Sequence, residues 1–92
     1  MPTTVIPLSE CEAEIGTVKG FDGKMLWFYY EGHHHGVPFH EQKRNHRRLG
    51  NVWQWVSGTT IHDLTLSPSY HVKAPHPAAL HAFIRDGKLE VL

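Results

Sequence analysis

The residues best suited to chemistry in this chain are its histidines, nine in 92 positions. A neutral imidazole serves as general base, proton carrier or ligand for zinc and related ions, and its ordinary pKa of about 6.5 puts its charge change in the physiological range. His33, His34 and His35 stand between Gly32 and Gly36, with His40 shortly after and His81 far along the chain. Alternate side chains of an extended segment point the same way, so His33 and His35 can converge on one ion while His34 points away. A third protein ligand must come from elsewhere, since zinc sites take at least three. Three such ligands and an open position for water would make a metal-dependent hydrolase, with Glu31 or Glu41 as general base. The competing expectation for the same residues is a Gly-rich turn of solvated polar side chains.

A second cluster is basic. Lys43, Arg44, Arg47 and Arg48 hold four of the nine cationic side chains within six residues. Bidentate contacts from Arg44, Arg47 and Arg48 can grip phosphates or an acidic protein surface. Residues 1–42 carry two Lys+Arg against six Asp+Glu, and residues 43–92 carry seven against three, so an acidic and a basic face are expected. The totals nevertheless balance at nine each, with a pI of about 7.1, and no aromatic residues interleave the basic run. Without a global basic field a protein partner is the better expectation than nucleic acid. The alternative is a solvated loop that keeps a small protein soluble.

Other chemistries find little support. Cys11 is the one cysteine, so no internal disulfide can form, a usage that fits a reducing compartment. Glutamates on both sides of it raise the thiol pKa and work against a nucleophilic role. The chain contains no G-x-G-x-x-G, no phosphate-binding P-loop and no G-x-S-x-G elbow.

The elements that must position these groups read as strands. Glu10 to Ile15 alternates charged and apolar residues, which predicts a half-buried strand with Cys11, Ala13 and Ile15 on one face. Phe21 to Lys24 carries turn residues, and Met25 to Tyr30 is a bulky aromatic run of strand length, so the two make a hairpin. The histidines then occupy a Gly-bracketed turn, and Pro38 marks Val37 to His40 as an edge strand. Val52 to Val56 is a strand with both tryptophans on one face, and Ser67-Pro68-Ser69 is a turn between Thr65-Leu66 and Tyr70 to Val72. Leu80 to Arg85 and Lys88 to Leu92 flank Asp86-Gly87, the signature of a two-residue type I′ hairpin, with Leu89 and Val91 facing the core. Trp53 and Trp55, with Trp27, Phe28, Tyr29 and Tyr30, can form an exposed aromatic binding surface, but the stronger expectation is that most of them fill that core.

Six or seven short strands of this kind predict one all-β domain over residues 1–92, a small antiparallel sheet, sandwich or barrel closed by a C-terminal hairpin. At 10.5 kDa its interior has little room for an enclosed pocket of the usual ~300 Å³ or more. No apolar run reaches the ~20 residues of a membrane span and the N-terminus does not read as a signal peptide, so a soluble cytoplasmic protein is expected.

Trp53/Trp55, Thr65 to Ser69 and Leu80 to Leu89 together resemble a family of small phage and bacterial proteins of unassigned function. That family carries W-x-F/W-N-G, then P-T-F/L-S-P-S, then C-H-x-F-V/I-x-D-G-x-I, and the likeness covers about the C-terminal half of the chain. Its members usually add an earlier C-P-G-C-like segment and a histidine, which looks like half of a zinc site. Here Tyr30-Glu31-Gly32-His33 falls at that segment, Leu80-His81 at the later C-H, and Leu64 at the proline before the threonine. The resemblance therefore implies a zinc site whose cysteines are gone and whose remaining ligands are His33, His35 and His81. It also implies a small phage-type accessory protein that acts by binding another protein, for example as antagonist of a host defence or regulatory component, with any zinc structural.

Overall fold

The computed structural model describes residues 4–40, 52–67 and 69–92, and its chain is all-β. Among the described residues nine strands run in order: β1 Thr4–Pro7, β2 Glu14–Gly16, β3 Lys24–Tyr30, β4 His33–His40, β5 Trp53–Ser57, β6 Thr65–Ser67, β7 Tyr70–Val72, β8 Leu80–Arg85 and β9 Lys88–Val91. They form a four-stranded sheet, β1-β9-β8-β7, and a five-stranded sheet, β2-β3-β4-β5-β6, packed as a sandwich. Between them lie Leu8, Leu26, Phe28, Val37, Phe39, Leu64, Leu66, Ala82, Ile84 and Leu89, all nearly or fully buried. The strands are short and nearly every inward position is apolar, His35 being the buried polar exception, which is how a chain of this length removes enough surface from water.

The C-terminal hairpin forms as its residues predict. Asp86 and Gly87 both take positive φ, +50° and +73°, the two-residue turn whose twist matches that of the strands. Leu80, Ala82 and Ile84 are buried on β8, as are Leu89 and Val91 on β9. The turn itself is packed rather than free. Gly87 donates to the Leu64 carbonyl at 2.9 Å and accepts from the Leu8 N–H at 2.8 Å, while Asp86 N–H donates to Thr65 Oγ1 at 2.8 Å. The hairpin tip thus ties the four-stranded sheet to β6 and closes one side of the sandwich.

Three expectations are corrected. The alternation at Glu10–Ile15 yields a strand only from Glu14, because Leu8–Glu10 forms one 3₁₀ turn and Cys11 N–H bonds back to the Leu8 carbonyl at 2.8 Å. The histidines are not in the turn: Glu31 and Gly32 make it, with φ of +50° and +79°, and His33 to His35 open β4. Pro38 does not mark an edge strand, since β4 pairs with β3 on one side and in parallel with β5 on the other. Counted from the closing pair Tyr30–His33, Pro38 falls opposite Met25 at a position whose N–H would point away from β3, so the ladder loses nothing there. Ser67 and Ser69 stand between β6 and β7, which belong to different sheets. The parallel ladder of β4 and β5, Phe39 to Trp53 and His40 to Gln54, needs a crossover of about a dozen residues, and residues 41–52 supply that length.

Candidate functional site

The aromatic and histidine side chains of β3 and β4 sort by the period-2 alternation of the strands. Leu26, Phe28, Val37 and Phe39 point inward, and Met25, Trp27, Tyr29, His34, Gly36 and Pro38 line the outer face of the five-stranded sheet. His35 shares the inward face and is 3% exposed. Its ring stacks on Phe28 at 5.1 Å and meets the edge of Tyr70, and its Nδ1 is 2.9 Å from the Tyr70 hydroxyl across the sandwich. Its Nε2 is buried and has no hydrogen-bond partner among the described residues. Burial lowers the His35 pKa, reinforced by His33, His34 and His76 nearby, so the imidazole is held neutral; burial likewise raises that of Tyr70. A neutral pair sealed between sheets is a structural tie and not a base that substrate can reach.

His34 faces outward between two rings, with its centroid 5.3 Å from Trp27 and 4.7 Å from Tyr29, both nearly parallel. Tyr29 is 43% exposed, and Trp27 is half-buried because it lies over Gly36, its cross-strand partner. A Cβ at Gly36 would come within 2.8 Å of the Trp27 ring, so only glycine leaves room for the indole. Val56, on the neighbouring β5, is 38% exposed. Of the expected aromatic core, Phe28, Phe39, Trp53 and Tyr70 are buried, whereas Trp27 and Tyr29 belong to this outer surface.

His81 lies on β8 in the other sheet, directly opposite His71 on β7. The two rings stack at 4.1 Å with 16° between planes, and Ser69 Oγ is 3.1 Å from His81 Nε2. The His71 pKa is lowered by partial burial, then by His81 and Lys73. The pair lines one wall of an open cleft of about 310 Å³ that also meets Tyr30, Glu31 and Leu92. Burial, and then the hydrogen bond and charge of Glu31, push the Tyr30 phenol up. Another cleft, of about 280 Å³, lies between Ile15, Lys24, Phe39, Trp55, Thr59 and Leu64.

The three histidines singled out as zinc ligands are thus divided, His33 and His35 on the five-stranded sheet and His81 on the four-stranded sheet. Among the described residues no group of three or more His, Cys, Asp and Glu is arranged to hold an ion. Glu31, one of two residues named as general base, sits in the β3–β4 turn; Glu41, the other, and Arg44, Arg47 and Arg48 lie outside the described residues. Cys11 is buried, its thiol directed at the Pro7 carbonyl at 3.5 Å, with a pKa raised by burial and then by Glu10.

The sequence reading missed Tyr70 as the partner of His35, and it missed the His71–His81 pair. Neither leaves a local trace, because each is made by strands far apart in the chain. Among the described residues no helix is long and apolar enough to cross a membrane. No family model matches the chain, and no curated protein or solved structure matches it.

Proposed function

We propose that this chain is a small interaction module that binds a protein partner through the outer face of its five-stranded sheet. The observation that carries the reading is the exposed stack of Trp27, His34 and Tyr29, seated over Gly36 and flanked by Met25 and Pro38. Rigid aromatic side chains lose little entropy on binding and are over-represented as anchors in protein interfaces. The sequence adds Arg44, Arg47 and Arg48 in the segment that joins β4 to β5, two strands of the same sheet. A partner with an acidic rim around an apolar pocket would suit a chain that carries both an aromatic surface and a basic segment. The sandwich interior is filled by side chains, which favours surface binding over an enclosed active site. In this reading the chain works in the cytoplasm of a host cell as a phage-type accessory protein that antagonises a defence or regulatory component.

A photo-crosslinking residue placed at Tyr29 tests the surface, with the same residue at Val5, 51% exposed on β1 of the other sheet, as the control. In cells that contain the partner, position 29 is expected to capture one discrete protein and position 5 none. Equal capture at both positions, or none at 29, overturns the assignment. Replacing Arg44, Arg47 and Arg48 together with Ala is expected to leave the melting temperature nearly unchanged, since surface substitutions usually move stability by less than about 0.5 kcal/mol each. The same variant should weaken binding of the captured partner, most at low ionic strength. Unchanged binding at low salt would make these arginines a solvated face.

A further inference from the structure

The geometry points to a second site, independent of that surface: His71 and His81 form a two-imidazole chelate for a divalent transition metal on the outer face of the four-stranded sheet. His81 accepts the Leu92 N–H through its carbonyl at 2.9 Å, so its backbone polar groups point toward β9. Facing β7, it therefore occupies a non-hydrogen-bonded position, the kind at which opposed Cα atoms approach to ~4.5 Å and side chains come closest. Its partner there is His71, and the observed 4.1 Å between ring centroids places both imidazoles within one ion's reach after rotation about side-chain torsions alone. The ladder that holds them is fixed, so little order remains to be gained on binding.

The donor chemistry selects the ion. Imidazole nitrogens suit zinc, nickel and copper, whereas magnesium and calcium take oxygen donors. Ser69 Oγ, 3.1 Å from His81 Nε2, orients that ring, the part an outer-shell partner plays at built metal sites. His71 is exposed at the edge of the sheet and the cleft beside the pair is open, so an ion can enter and keep water in its remaining positions. This ligand set differs from the one that family likeness implied, sharing His81 but drawing its other imidazole from the adjacent strand.

Because the chain has nine histidines, the test must be resolved by residue. Zinc chloride is titrated into the full chain at neutral pH while the imidazole proton and nitrogen resonances are followed by NMR. The His71 and His81 resonances are expected to move together and to saturate at one equivalent. His71→Ala should weaken the response at His81 by about tenfold or more, since removal even of an outer-shell partner typically costs ~10–100-fold in metal affinity. His71→Phe keeps a ring against His81 but has no nitrogen, so it should match His71→Ala in losing zinc while retaining the wild-type melting temperature. The proposal is overturned if His71 and His81 do not move on titration, if other histidines saturate first, or if His81 responds equally in either variant.

Discussion

Gly87→Ala is expected to lower stability by roughly 2–5 kcal/mol, the left-handed φ contributing ~1–2 and the crowding of a packed site ~1–3. Gly87 sits at φ +73°, and a Cβ there would press on the His62 carbonyl group and the Ile61 carbonyl oxygen. Both are backbone atoms and cannot rotate away, so the segment Ile61–His62 must shift and the bond from Gly87 N–H to Leu64 is put at risk. For a domain of this size each kcal/mol moves the melting temperature by about 4–8 °C, so a drop of roughly 10 °C or more should appear in a thermal melt. Gly32→Ala is the control. Its φ of +79° carries the same conformational penalty, but nothing lies within 4 Å of the added Cβ. If the two variants melt at the same temperature, the hairpin tip does not pack beneath residues 61–62.

Acid should loosen the sandwich through His35. The imidazole is buried between the sheets with one nitrogen on Tyr70 and the other without a partner among the described residues, and burial holds its pKa below the usual 6.5. The unfolded chain therefore takes up the proton more readily than the folded one. His35 contributes stability that is fully present above about pH 6.5 and is lost as pH falls through its lower folded-state value. Tyr70→Phe leaves the Nδ1 atom unsatisfied as well and is expected to cost ~1–3 kcal/mol at neutral pH. The double variant His35→Phe, Tyr70→Phe removes both polar partners, so its stability near neutrality should recover and its decline between pH 6.5 and 5 should be shallower than that of the wild type. Urea unfolding at a series of pH values reads both effects. A double variant as acid-sensitive as the wild type would show that the other histidines, and not His35, govern the response.

Both expectations rest on contacts across long stretches of chain, and they mark where the sequence stops being informative. The Asp86-Gly87 hairpin was legible because a type I′ turn needs two residues of positive φ, a demand that adjacent residues meet by themselves. The burial of Leu80, Ala82, Ile84, Leu89 and Val91 was legible for a similar reason, since alternation along a strand encodes its inner face locally. An all-β chain followed from such segments taken one at a time. The pairing of strands that are not neighbours in sequence did not. Alternation says that His33 and His35 share a face, but not that Tyr70 arrives from the other sheet to seal His35 in the core. It cannot tell that Glu31-Gly32 rather than the histidines would make the turn, because both stretches contain glycine and only the register of β3 against β4 decides between them. The meeting of His71 with His81 depends likewise on the β7–β8 register, and a shift of one residue would exchange the faces of every side chain on the strand. Local torsional preference and periodicity thus determined the elements, while the burial of apolar faces against one another determined which polar groups met. The candidate sites of this protein are products of that second step.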